Sequence, residues 1–400
     1  MKANQSDTAR REELLAKNFS PSLPINEEAL FAGRKKERRE ILLALNQPGQ
    51  HVAVFGERGV GKTSLANIIV KECKGSGRFS ARINCDTTDD FGTVWHKAFE
   101  EIKLNASIPQ AGFGATDLEV ATSLADDLPE QPKPNDIRKA LVELGWNAIL
   151  VLDEFDRLGN RDSRLFADTI KTLSDQNVTT KIVLVGVADN IDALMKEHAS
   201  IDRALHQVPM PRMSNDENKQ IITSGLSRSE MRIPDSLASQ IASLAQGFPH
   251  YAHLMGLYAG LAANDGGRVE VLATDLDKAV RSAIDRAQAS IKSEYNKATT
   301  SPRRDALFKI VLLACALAKT DVGGYFYAAD VRDQLTILTH KEYRITDFAQ
   351  HLNDFSEKRG PILEKVGHKR KFRFRFINPL MQTYVILEGL AAGKLQLHAA

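Results

Sequence analysis

What this 400-residue chain lacks narrows it quickly. It has no run of about 18 apolar residues, so no segment is long enough to cross a bilayer as a helix. The opening stretch, MKANQSDTARREELLAKNF, is charged and has no apolar core, which argues against a secretory signal. Cysteine is scarce. Cys73, Cys85 and Cys315 lie far apart, form no ligand-like pair, and suit a reducing cytoplasm as small buried hydrophobes. A dominant charge is missing as well: 53 Lys+Arg stand against 51 Asp+Glu, a formal net charge of +2. The balance is uneven along the chain, however. Residues 301–400 hold 16 Lys+Arg and 10 Asp+Glu, so the C-terminal quarter is the basic end.

What is present fits a globular protein of two or three domains, 43% hydrophobic and 26% charged. Residues 1–27 are polar, end in turn-rich sequence, and read as an extended tail. Residues 28–212 alternate short β-branched runs with amphipathic stretches. Strands are expected at His51–Phe55, Phe79–Cys85, Ala148–Asp153 and Lys181–Ala188, all apolar and proline-free as doubly buried strands should be. This pattern predicts an α/β unit with a mostly parallel sheet. Residues 105–133, with Pro129 and Pro132, read as a surface insertion.

Residues 213–293 are helical only. They open on Ser214-Asn-Asp-Glu217, a capping-box signature, and further helices are expected at Asp235–Gln246, Tyr251–Asn264 and Asp275–Ser293. A linker is expected over 294–302. In residues 303–392, helices at Asp305–Ala318, Ala328–Leu338 and Ile345–Lys358 precede strands at Ile362–Val366 and Phe372–Ile377. That order suggests a winged helix-turn-helix.

Gly56-Glu57-Arg58-Gly59-Val60-Gly61-Lys62-Thr63 matches G-x-x-x-x-G-K-[ST]. It follows the strand HVAVF and opens the helix TSLANIIVKEC, starting at Thr63 and Ser64, which is the context the motif needs. The glycines let backbone N–H groups surround phosphate oxygens, helped by the helix N-terminus. Lys62 is expected against the β and γ phosphates of ATP, with the Thr63 hydroxyl on Mg²⁺. About ninety residues on, Ala148-Ile-Leu-Val-Leu-Asp153-Glu154 delivers two carboxylates from a buried strand. Asp153 is expected to hold Mg²⁺ through water, and Glu154 to polarise the attacking water.

With these motifs the chain resembles the AAA+ P-loop ATPases, in particular the branch related to replication initiators, over roughly residues 28–390. The resemblance implies an α/β P-loop core, an all-α lid and a C-terminal winged helix. Leu30-Phe-Ala-Gly33-Arg34-Lys-Lys-Glu37 looks like the box that lines the adenine pocket there, which implies a nucleotide contact for Arg34. Ile83-Asn84-Cys85 also fits the branch. Leu184-Val-Gly-Val-Ala-Asp189-Asn190 falls where those proteins carry the γ-phosphate sensor. Asp189 stands at the position of their usual asparagine. Arg203, after Ile201-Asp202, lies where an arginine finger would reach a neighbouring subunit, with Arg212 in reserve. Gln246-Gly247-Phe248-Pro249-His250 resembles the G-x-P turn in the lid of STAND-type signalling ATPases and transposon target-selection ATPases. There Pro249 and His250 would meet nucleotide, a histidine standing where many relatives have arginine.

In the basic end, Phe372-Arg373-Phe374-Arg375-Phe376 alternates. Three phenylalanines are expected on one face as core and two arginines on the other. With the turn residues Lys369, Arg370 and Lys371 they form a basic stripe fit for the phosphate backbone of double-stranded DNA. Two functions follow. One is an ATP-dependent switch that oligomerises on DNA or with a DNA-bound partner. The other is a STAND-like signalling or defence ATPase that assembles with a separate effector protein.

Overall fold

The computed structural model describes residues 5–27, 31–106, 122, 124, 126–187, 201–301, 307–321, 323–368 and 371–395. They fall into two compact units. A core unit comprises 24–56 and 61–210, and a helical unit comprises 1–23, 57–60 and 211–400.

The core unit is built on five parallel strands: β1 (His51–Gly56), β2 (Ser80–Asn84), β3 (Ile149–Asp153), β4 (Lys181–Gly186) and β5 (Leu205–Met210). They run in the order β2-β3-β4-β1-β5. Every residue of β3 and β4 is buried, as expected of apolar strands covered on both faces. Helices α2 (Lys35–Leu45), α3 (Lys62–Gly75), α4 (Phe91–Ala106), α5 (Pro134–Leu144) and α6 (Asn160–Asp175) provide that cover; α1 belongs to the other unit. Between α4 and α6, Phe91, Trp95 and Phe166 pack ring against ring, with centroids 4.9 to 6.3 Å apart. Such contacts add about 0.5–1.5 kcal/mol per pair beyond simple burial.

Strand β5 was not expected. Its burial alternates and it contains Pro209, so it lacks the apolar run of its neighbours. It lies at the sheet edge beside β1, where a residue without an N–H is tolerated.

In the helical unit, α1 (Gln5–Asn18) replaces the expected extended tail. Its polar composition hid a narrow apolar stripe. Leu15 and the following Phe19 are buried, and Arg11 Nε donates to Asn264 Oδ1 at 2.9 Å. The expected capping box is present, since Ser214 Oγ accepts from Glu217 N and Glu217 accepts from Ser214 N. It opens α7 (Asn215–Arg228), which α8 (Asp235–Leu244) and α9 (Pro249–Asp265) follow. The single helix expected over 275–293 is two, α10 (Ala273–Asp285) and α11 (Ala289–Thr299), and α11 occupies most of the expected linker.

Next come α12 (Phe308–Leu317), β6 (Phe326–Tyr327), α13 (Ala328–Thr339), α14 (Ile345–Glu357), β7 (Leu363–Val366) and β8 (Arg373–Phe376). The strands form an antiparallel sheet in the order β6-β8-β7. Phe374 and Phe376 are core beneath Phe326. Phe372 is not: it precedes the strand, is 37% exposed, and carries Lys365 Nζ 4.2 Å above its ring. An unexpected helix, α15 (Pro379–Ala391), ends the described chain and packs on α12 and α10. Among the described residues no helix is long and apolar enough to cross a membrane.

Candidate nucleotide site

The loop between β1 and α3 needs its glycines. A Cβ on Gly56 would lie 2.2 Å from the Met210 carbonyl oxygen, so the end of β1 admits no side chain. Gly59 and Gly61 have φ of 88° and 96°, the left-handed region where a Cβ is strained. Gly61 is also the N-cap of α3 and offers no side-chain acceptor to the first-turn N–H groups, which leaves that helix end suited to an anion. Lys62 Nζ donates to the Gly56 carbonyl at 2.9 Å, curled over its own loop. Thr63 is half-buried beside it. Ser64 Oγ accepts from Ile25 N at 3.1 Å and so ties the entry segment to α3.

At the end of β3, Asp153 is buried, its side chain 3% exposed. One oxygen accepts the Glu154 N–H at 2.9 Å, and the other accepts from Arg82 Nη1 at 3.1 Å. Glu154 has φ of 56°, caps the 3₁₀ turn Phe155–Arg157, and is half exposed with Oε2 2.5 Å from Arg157 Nε. Asp156 Oδ1 accepts the Val187 N–H at 3.1 Å, so the turn after β3 holds the end of β4. The donor set suits a nucleotide phosphate with a hard divalent cation: a lysine, a hydroxyl, a buried carboxylate already paired with a cation, and a helix end without a side-chain cap.

The remaining expected residues divide. Arg34 also has φ of 57°, is 2% exposed, and has its guanidinium 3.2 Å from Glu37. Arg203 is exposed in the turn before β5. Asp189 and Asn190 lie outside the described residues, as do Lys369 and Arg370.

In the helical unit, the 57–60 loop tip meets a network that sequence reasoning missed. Arg212, considered only as a reserve finger, grips Glu57 with two bonds, Nε to Oε2 at 2.6 Å and Nη2 to Oε1 at 2.9 Å. Its Nη1 donates to Gln382 Oε1 at 2.7 Å, and its guanidinium lies 4.5 Å over the Phe248 ring. Gln382 in turn donates to the Ala316 carbonyl at 2.7 Å. A Cβ on Gly59 would touch Leu380 and Phe248, while Val60 is fully buried and Arg58 exposed. Glu57, expected simply to line the phosphate loop, is therefore committed to an ion pair. Nothing local announces a pair 155 residues apart; the only signal was a glutamate inside the motif and an arginine at a domain boundary.

The G-x-P turn follows the same segment. Gly247 has φ of 79°, its carbonyl accepts Met213 N at 3.0 Å, and Pro249 is the first residue of α9. His250 is bonded to the chain's own entry segment. Its Nδ1 is 2.6 Å from the Pro21 carbonyl, so that nitrogen carries the proton, and burial lowers its pKa and keeps it neutral.

Two arginines of the expected basic stripe are paired with carboxylates. Arg373 pairs with Asp321 at 3.3 Å and Arg375 with Glu364 at 2.5 Å, and both guanidinium groups lie over Tyr325. Lys371 is exposed.

Comparison with known proteins fits this geometry. A Walker-type ATPase of Pyrococcus abyssi is 17% identical with a TM-score of 0.53, over 91% of this chain and 98% of its own. The Aeropyrum pernix ORC2 protein, solved in ADPNP–ADP complexes, is 16% identical with a TM-score of 0.50, over 96% and 98%. At such identity the likeness is one of fold, the parallel-sheet P-loop NTPase core with its helices. A search of curated proteins finds no match. The family described as Novel STAND NTPase 1 matches residues 23–257, more than half of the chain. That stretch carries both phosphate-site motifs and the G-x-P turn, and this P-loop NTPase belongs to the novel STAND NTPase 1 family.

Proposed function

We propose that the chain is an ATP-operated switch of the signalling type, whose output is nucleotide-dependent assembly with itself and with a separate effector protein. The observation that carries this reading is the Arg212 network. It joins the tip of the phosphate loop (Glu57), the G-x-P turn (Phe248) and the C-terminal helix α15 (Gln382) in one set of contacts. A change at the loop that disturbs Glu57 is felt by all three, which is what a switch requires.

Lys62 would exchange its bond to the Gly56 carbonyl for phosphate oxygens, and Thr63 and Asp153 would hold Mg²⁺. When bound, the ion neutralises charge on the transferring phosphoryl group. Glu154 would position water once released from Arg157, and that preoccupation suits slow turnover. The exposed Arg203 is available to a neighbouring copy. Residues 303–392 read as a winged helix, with α12, α13 and α14 before the three-stranded sheet.

The exposed Lys371 beside that sheet favours a second reading, assembly on double-stranded DNA. The acidic partners of Arg373 and Arg375 weigh against it.

The test is light scattering on the parent and on Glu154→Gln, with ATP, ADP and no nucleotide, each with and without duplex DNA. ATP should enlarge the Glu154→Gln particle relative to ADP, with DNA making no difference. One size in every nucleotide state would overturn the switch. Growth only with DNA would replace the signalling reading with the DNA one.

A further inference from the structure

Asp153 already has a cation beside it. Arg82, on edge strand β2, places Nη1 3.1 Å from Asp153 Oδ2, while Oδ1 accepts the Glu154 N–H. In parallel register Arg82 lies opposite Val151 and Asn84 opposite Asp153, so the guanidinium reaches forward along the sheet to the carboxylate. The two partners differ in burial. The Asp153 side chain is 3% exposed and that of Arg82 is 32% exposed, so the arginine has solvent to withdraw into and the aspartate does not. Nothing in the phosphate-loop chemistry calls for an arginine at this position, and the sequence motifs did not single it out.

We propose that Arg82 is a positioning residue that acts as a tethered counter-cation for Asp153 and sets how much Mg²⁺ the nucleotide site requires. The inference rests on Asp153 being the Mg²⁺ carboxylate. Burying an unpaired carboxylate is costly, and the guanidinium removes that cost before metal arrives. The same positive charge opposes a divalent ion approaching the carboxylate. The metal must therefore displace or outweigh the guanidinium, and the site fills only at higher Mg²⁺ than an unguarded carboxylate would need.

The experiment uses the full chain and a fluorescent N-methylanthraniloyl ADP, so that no turnover is involved. At fixed nucleotide, Mg²⁺ is titrated and its half-saturating concentration read from fluorescence at constant ionic strength. Arg82→Met keeps the apolar stem and removes the charge. Its half-saturation should fall on the order of tenfold, the scale of one charge a few ångströms from a partly buried site. Arg82→Lys should stay near the parent, and nucleotide binding without Mg²⁺ should be equal in all three. Thermal midpoints measured alongside identify a variant that has failed to fold, in which case Arg82→Gln takes its place. An unchanged Mg²⁺ requirement in a folded, charge-free variant overturns the proposal and leaves Arg82 a structural partner. If instead the parent's own nucleotide binding is indifferent to Mg²⁺ and survives Lys62→Ala, it is the nucleotide-site reading that fails.

Discussion

Removing the Arg212 guanidinium tests whether the phosphate-loop tip is energetically coupled to the helical unit. Arg212→Ala deletes two charge-assisted bonds to Glu57, one to Gln382, and the contact over Phe248. The ion pair is sheltered, its side chains 20% and 12% exposed, so solvent screens it only in part. Hydrogen bonds to charged groups contribute about 1.5–3 kcal/mol each, but they share one guanidinium and do not add. A loss of about 3 kcal/mol is expected for Arg212→Ala, within the range for breaking a largely buried pair. Glu57→Gln should cost less, since it keeps the shape and one acceptor and leaves Arg212 bonded to Gln382. The two single variants and the double variant form a cycle measured by urea denaturation. The coupling should be about 2 kcal/mol, and release of labelled ADP should quicken in both single variants. A coupling below about 0.5 kcal/mol would refute the reasoning, because the bidentate geometry would then be incidental. So would a Glu57→Gln cost equal to that of Arg212→Ala.

Lys62→Ala should abolish ATP binding, whereas Glu154→Gln should bind ATP and lose roughly 10²-fold or more in hydrolysis rate, read by filter binding and phosphate release. His51 is fully buried, accepts the Ile182 N–H at 2.9 Å, and has its pKa lowered to about 3 by burial and then by Lys181. Its neutral form therefore stabilises the fold fully above the unfolded value of 6.5. That contribution is lost as pH falls from 6.5 toward 3, at about 1.4 kcal/mol per unit. His51→Asn keeps an acceptor and should flatten the melting temperature between pH 6.5 and 4; an acid slope equal to the parent's would exclude His51 as its source. Replacing Lys369, Arg370 and Lys371 with Ser should leave DNA retention and its salt slope unchanged under the signalling reading. A slope reduced by about one unit per lost contact would favour DNA.

The parts legible in the sequence were those whose physics is local. The phosphate loop announces itself because Gly59 and Gly61 each meet a φ demand inside the loop itself, with φ of 88° and 96°. Strands β1, β3 and β4 show in their apolar runs, and α7 in its capping box. What stayed hidden depends on distant partners. Strand β5 looks like loop until β1 supplies its hydrogen bonds, and α1 looks like tail until α9 covers its narrow stripe. The break between α10 and α11 carries no proline or glycine, so periodicity ran through it. Arg373 and Arg375 read as free charge because Asp321 and Glu364 sit 52 and 11 residues away. Phe372 read as core because alternation extends one residue beyond the strand that enforces it.

The seating of α1 matters to anyone trimming the chain. The Phe19 ring occupies space that exists only because Gly225 and Gly256 lack side chains: a Cβ on either would lie 2.4 or 2.6 Å from the ring. Leu15 fills a similar gap over Gly260. A fragment starting at residue 23, where the family match begins, would lose both plugs and open two glycine-floored slots on α7 and α9 to solvent. Such slots are shaped for one aromatic and one branched side chain. No copy of that fragment carries α1, so a dimer seen in it would report two uncovered apolar surfaces meeting and not the switch.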